Sequence, residues 1–188
     1  GNNRFVDVTK EAGLYRSGFP NAVVASDFNK DGYVDIVAGT PDETVGLAYK
    51  SGSLTLLNGS AIGPIGKDSF TLNQISPGIN GVSENADFWA DSLAVTDLNG
   101  DGHADLVVSA TTESVGTHFD TGSVTFIWGS EEGINQAQSL TINQDSQNVP
   151  SENKSNDYWG RLGTTGTLSP QRPQTAVRTA AGVNVSLL

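Results

Sequence analysis

The chain has 188 residues, of which 36% are apolar and 22 are glycine, and its 21 acidic and 10 basic side chains give a net charge of −11. That is one domain's worth of chain, lean in apolar residues as turn-rich β-repeats are. The acidic surface argues against nucleic acid and anionic membranes as partners, and no apolar run is long enough to span a bilayer. The absence of cysteine removes disulfides and thiol chemistry, and leans toward a prokaryotic extracellular protein stabilised by metal. A start at Gly1, without Met or a leader, reads as a mature or trimmed form.

Residues 1–15, with the run FVDVTKEAGL from Phe5 to Leu14, stand as an N-terminal segment ahead of the first unit. The first blade-like unit follows over 16–85. Within it, the strand-like AVVAS precedes the loop DFNKDGYVD, Asp27 to Asp35, and the apolar run DIVAG leaves it. The second unit, 86–156, repeats this order: SLAVT, then DLNGDGHAD from Asp97 to Asp105, then DLVVSA. Each loop places Asp, Asn, Asp and Asp at positions one, three, five and nine, with Gly at six. Such a set of hard oxygens suits calcium, which takes about 6–8 of them. The expected ligands are the side chains of Asp27, Asn29, Asp31 and Asp35 with the carbonyl of Tyr33, and those of Asp97, Asn99, Asp101 and Asp105 with the carbonyl of His103. The ring of His103 is expected to face solvent. Gly32 and Gly102 permit a backbone conformation that a Cβ would penalise. An EF-hand begins in the same way but needs a bidentate Glu at position twelve between two helices. Ala38 and Val108 stand there, between strands, so that reading fails twice. A metal-free Asx-rich turn is the plainer alternative. Against it, the clustered carboxylates would repel without a cation, Lys30 offsetting only part of that charge.

The similarity extends beyond the loops at a constant offset of 70 residues. Phe19, Trp89 and Trp159 correspond, as do Asp87-Phe88-Trp89-Ala90 and Asp157-Tyr158-Trp159-Gly160. Gly52-Ser53-Leu54-Thr55 matches Gly122-Ser123-Val124-Thr125, Gly59-Ser60 matches Gly129-Ser130, and Thr71-Leu72-Asn73-Gln74 matches Thr141-Ile142-Asn143-Gln144. A fixed period marks units that bury each other's faces. In the second unit, strands are expected near 91–96, 104–110, 122–128 and 138–142, and four antiparallel strands per repeat describe a propeller blade. Asn58-Gly59 has the composition of a type I′ turn, and equally suits a looser loop. Trp89 and Trp159 are expected in the core between blades, and Trp128 nearer the surface, where it could stack on a sugar. Asn58, Asn153 and Asn184 head glycosylation triplets.

Residues 157–188 start as a third repeat and then depart, with Thr167 where a third loop would begin and no acid after Asp157. They read as a diverged repeat or as terminal strands without a calcium loop; TAVRTAA and GVNVSLL both suit strands. Two repeats and part of a third fall short of the roughly 4–8 blades of a closed propeller. The open blade faces would seek further blades, from the rest of a larger propeller or from other copies in a homo-oligomer or filament. No sequence pattern of a nucleophile with its base appears. His118 beside Asp120 more often marks a surface contact than a dyad, although paired carboxylates are invisible at this level.

These residues resemble the FG-GAP repeat of integrin α-subunit β-propellers and their bacterial and archaeal relatives, over roughly 16–165. The calcium loops carry most of the resemblance; the aromatic-Gly start is degenerate in Phe19-Pro20 and Trp89-Ala90. The resemblance implies an all-β propeller with two Ca2+ ions in its blade loops, an extracellular or cell-surface setting, and a role in adhesion or recognition of a glycan or protein ligand. From the residues themselves we expect a non-enzymatic, calcium-stabilised repeat protein with a structural, self-assembling role.

Overall fold

The computed structural model describes residues 22–161, 177–178 and 184–185. The N-terminal segment, Phe19-Pro20 and most of the acid-free tail lie outside the described residues. The described chain is all-β, with no helix among these residues. Strands β1 (Ala22–Ser26), β2 (Asp35–Thr40), β3 (Ser53–Asn58) and β4 (Ile65–Leu72) form one antiparallel sheet in chain order. Strands β5 (Leu93–Thr96), β6 (Asp105–Ala110), β7 (Ser123–Ser130) and β8 (Gly133–Ile142) form the second in the same way. Two short strands of the tail, β9 (Val177–Arg178) and β10 (Asn184–Val185), pair antiparallel within the two segments expected to be strands. The two sheets are the blades of a partial propeller.

Composition sets each strand's place in its blade. β2 and β6, rich in Val, Ile, Leu and Ala, lie inside their sheets and are buried along nearly their whole length. β1 is an edge strand that alternates between half-buried and exposed positions. Each Asx-rich loop joins two adjacent antiparallel strands, with Ser26 opposite Asp35 in one blade and Thr96 opposite Asp105 in the other.

One boundary and one turn differ from expectation. β8 begins at Gly133, five residues early, because Ser130 closes a tight turn: its Oγ donates to the Gly133 carbonyl at 2.8 Å, and Gly133 adopts φ +97°. The matching turn in the first blade lies at Ser60–Gly63, where the Gly63 amide donates to the Ser60 carbonyl at 3.0 Å. Asn58-Gly59 is therefore not the type I′ turn its composition suggested, since Gly59 lacks a positive φ. Glycine is required there for a different reason. A Cβ on Gly59 would stand 2.4 Å from the Val34 carbonyl oxygen, as one on Gly129 would from Ala104.

The main core lies between the blades. Phe28, Val37, Leu54, Leu56 and Leu72 of the first blade pack with Leu106, Val108 and Ile127 of the second, around Trp89. Trp89 is fully buried, and its indole N–H donates to Thr125 Oγ1 at 3.4 Å. A second cluster covers the far face of the second blade, where Val107, Val124 and Phe126 receive Trp159. Both tryptophans are thus core, as their shared repeat position implied. Trp128, partly buried, also packs on this second cluster, its ring near-parallel to that of Phe126 at 6.2 Å. Asn153, expected as a possible glycan acceptor, is 4% exposed, and its side-chain oxygen accepts the Gln144 backbone amide at 3.1 Å, an environment with no room for a glycan in the folded chain.

The segment leading into each tryptophan is tied to the blade before it. The Ala86, Phe88 and Trp89 amides donate to the carbonyls of Tyr49, Lys50 and Ser51. Seventy residues on, the Asn156, Tyr158 and Trp159 amides donate to those of Phe119, Asp120 and Thr121. Gly52 and Gly122 lie beneath these segments. A Cβ there would stand 2.1 Å from the Trp89 or Trp159 carbonyl oxygen, and φ is +91° or +89°. We expect Gly122→Ala to lose about 2–4 kcal/mol in chemical denaturation, because backbone strain and a backbone clash combine. Gly116→Ala, with φ +64° and nothing within 4 Å of the new Cβ, should lose only about 1 kcal/mol. Equal losses would mean that the close approach carries no energy of its own.

Candidate metal centres

The two Asx-rich loops fold alike because their side chains cap their own backbone. In the first, Asp27 accepts the amides of Asp31 and Gly32 at 3.1 and 3.0 Å, Asn29 Oδ1 accepts the Asp31 amide at 3.1 Å, and Asp31 Oδ1 accepts that of Tyr33 at 2.9 Å. In the second, Asp97 accepts the Gly100 and Gly102 amides at 2.7 and 2.9 Å, Asn99 Oδ1 that of Asp101 at 2.9 Å, and Asp101 Oδ1 that of His103 at 2.8 Å. Gly32 and Gly102 have φ +90° and +85°, the left-handed conformation for which glycine was expected. Each capping oxygen has a second lone pair, so backbone capping and cation binding are compatible.

Position nine has a further role that its spacing does not reveal. Asp35 is fully buried; its two oxygens accept the Phe28 amide at 2.9 Å and the Gly59 amide at 2.7 Å. Asp105 does the same with the Leu98 and Gly129 amides, at 2.7 and 2.8 Å. These carboxylates bolt the loop between the first two strands to the end of the third. A buried carboxylate costs free energy unless it is hydrogen-bonded in this way.

At position seven Tyr33 is exposed, whereas His103 is half-buried with its Nδ1 enclosed and without a hydrogen-bond partner. The His103 ring is therefore not simply solvent-facing: its Cβ sits over Gly129, 2.9 Å from where a Cβ of that glycine would stand. The two loops are neighbours. The Lys30 ammonium lies 3.7 Å from the position a Cβ on Gly102 would occupy. The His103 amide, then the Asn99 side chain, hold the Asp101 carboxyl below its usual range, with the charges of His103 and Lys30 adding to the effect. His118 is exposed at a turn where its backbone pairs with Val115.

Among the described residues, the acids whose ligand atoms all lie within 4.8 Å of one another are none of these but Glu84, Asp87 and Glu113. Glu84 and Asp87 belong to the segment leading into Trp89, and Glu113 to the turn after β6. The Glu84 amide donates to Asp87 at 2.6 Å, the Thr112 hydroxyl to the Ala86 and Asp87 carbonyls at 2.8 and 3.0 Å, and Gln74 Nε2 to Glu113 at 2.5 Å. Sequence reading missed this group because its members are far apart in the chain. A faint signal exists: Glu43 and Glu113 correspond at the repeat offset, as do Asp87 and Asp157.

Burial, then the Asp87 charge and more weakly that of Glu84, pushes the Glu113 carboxyl up to about 8, although the Gln74 amide opposes this. Burial likewise raises Asp87 to about 6, opposed by the Glu84 amide. The folded chain therefore binds more protons than the unfolded chain from about pH 4 to about pH 8. With no cation present, this contribution to stability is complete below that window and is lost as pH rises through it. In chelator at pH 8.5, Glu113→Gln should be more stable than the parent by roughly 1–3 kcal/mol, and the difference should vanish near pH 4. A thermal melt series showing no pH-dependent difference would contradict the burial argument.

A family model for the FG-GAP repeat matches residues 19–57 and 89–127, one copy in each blade. The chain is also similar to phosphatidylinositol-glycan-specific phospholipase D of Bos taurus, 30% identical over 143 residues, and of Mus musculus, 31% identical over 123 residues. These matches cover 72% and 64% of this chain but only 17% and 14% of the two relatives.

Proposed function

Because the chain carries two FG-GAP repeats, we propose that it is a calcium-binding, non-enzymatic propeller module of an extracellular protein, in which each Asx-rich loop holds one Ca2+. The observation that supports this best is the loop pair itself: the same donors at the same positions, on the same kind of β-hairpin, with nearly the same backbone capping twice over. The donor set fits the ion. It offers carboxylate, amide and peptide oxygens, with no nitrogen or sulfur ligand required. Asp27, Asn29, Asp31, Asp35 and the Tyr33 carbonyl would hold one ion; Asp97, Asn99, Asp101, Asp105 and the His103 carbonyl would hold the other. Calcium would neutralise the loop acids and fix each hairpin, and two bound ions would bring the formal charge from −11 to −7.

Calcium should raise the melting temperature of the parent chain by mass action, equivalent to a few kcal/mol at about 100-fold excess over the dissociation constant. The double variant Asp31→Ala, Asp101→Ala should lose that response. If it melts with the parent in saturating calcium, the loops have no structural calcium role.

The proposal includes a partner for the open blade faces. Two blades cannot close a ring of the usual 4–8, so further blades, in a longer propeller or in other copies of this chain, would complete it. The small share of the relatives that the chain spans favours the longer propeller. Light scattering in calcium and then in chelator separates the two. Large particles that dissociate in chelator would mean self-assembly, and a monomer in both would leave adhesion to a glycan or protein as the remaining role.

A further inference from the structure

We propose that Glu84, Asp87 and Glu113, with the amide oxygen of Gln74, form a third divalent-cation site, set at the boundary between the two blades. The three acids come from two different places: the segment entering Trp89 and the turn between β6 and β7. Gln74 comes from the exit of the first blade, after β4. One carboxylate oxygen from each acid falls within 4.8 Å of the others, close enough for one ion to touch all three. No Lys, Arg or His among the described residues forms an ion pair with them; the ion pair of this region, Lys50 with Asp42, involves none of them.

Gln74 supplies the independent observation. It is 3% exposed, and its amide points at the cluster, Nε2 lying 2.5 Å from a Glu113 oxygen. Its Oε1 is enclosed and has no hydrogen-bond partner. An enclosed amide oxygen without a partner is costly. A half-turn of the amide would place that oxygen toward the carboxylates and would break one hydrogen bond, to Glu113, which a cation would replace. Three carboxylates and an amide oxygen are hard donors, suited to calcium, or to magnesium with waters retained. Because its donors span the first blade's exit, the linker and the second blade, a bound ion would clamp the blades together. The loop sites each lie within one blade.

The repeat provides its own control. Seventy residues on, Gln144 again has an enclosed and unpartnered Oε1, but its Nε2 donates to Ser151 at 3.0 Å, and Lys154 stands where Glu84 does. An ammonium there would take the place of an ion, so Glu84→Lys copies into the first boundary what the chain carries at the second. Glu84 is exposed, and its replacement leaves the core untouched.

The test counts calcium bound per full-length chain, by equilibrium dialysis with native mass spectrometry, followed by the same titration with magnesium. The parent should hold three calcium ions, Glu84→Lys and Glu113→Gln two each, and Asp31→Ala, Asp101→Ala one. Should the loops bind nothing, the parent would hold one ion and Glu84→Lys none, which upholds this site and sinks the loop reading. If the parent, Glu84→Lys and Glu113→Gln all bind the same number, the cluster takes a proton rather than a metal and the proposal is overturned. Magnesium displacing only the ion missing from Glu84→Lys would assign the smaller cation to this site.

Discussion

Everything else in this structure depends on the docking of one repeat's entry segment onto the turn of the repeat before it. Three backbone hydrogen bonds set the segment's height, and a tryptophan then drops into the space between sheets. The approach is so close that the turn beneath must be glycine, at Gly52 and again at Gly122. Backbone bonds give the register, and the buried indole, the largest fully buried side chain, fills the space between the sheets. Neither works alone: a single four-stranded sheet with one bare face would be marginal in water, and a tryptophan without fixed register could not find Thr125.

The same arrangement explains the local oddities of the entry segments. Ala86, Phe88 and Ala90 all have positive φ, as do Asn156, Tyr158 and Gly160. Left-handed conformations at non-glycine residues cost free energy and persist only where surrounding contacts fix them. Here the fixing contacts are the backbone bonds to the preceding blade. The aromatic-Gly start of the repeat also gains a physical reason: the residue after the aromatic is left-handed, so glycine fits it without strain and Ala90 only with some.

Electrostatics divides the acids into three groups. Asp35 and Asp105 are buried and accept two backbone amides each, so they hold the fold together as well as standing in the proposed ligand sets. The remaining loop acids lie nearer solvent and keep lone pairs available beyond those that cap the turn. Glu84, Asp87 and Glu113 are crowded without a counter-charge, and burial drives two of them toward the protonated form. One residue type thus serves as a bolt, a candidate ligand and a charge reservoir, according to what surrounds it.

The sequence by itself determined the blade architecture, the hairpin position of the Asx-rich loops and the core role of Trp89 and Trp159. These are properties of period, composition and local turn chemistry, which a one-dimensional chain displays directly. Only the tertiary structure decided why Gly59 is glycine, that Asp35 reaches Gly59, that Trp128 stacks on Phe126, that Asn153 is packed away, and that His103 is partly enclosed. Each of those depends on a neighbour brought close by strand pairing. The cluster of Glu84, Asp87 and Glu113 belongs with them: its members approach only after two blades have docked, and no spacing along the chain encodes a meeting across that boundary.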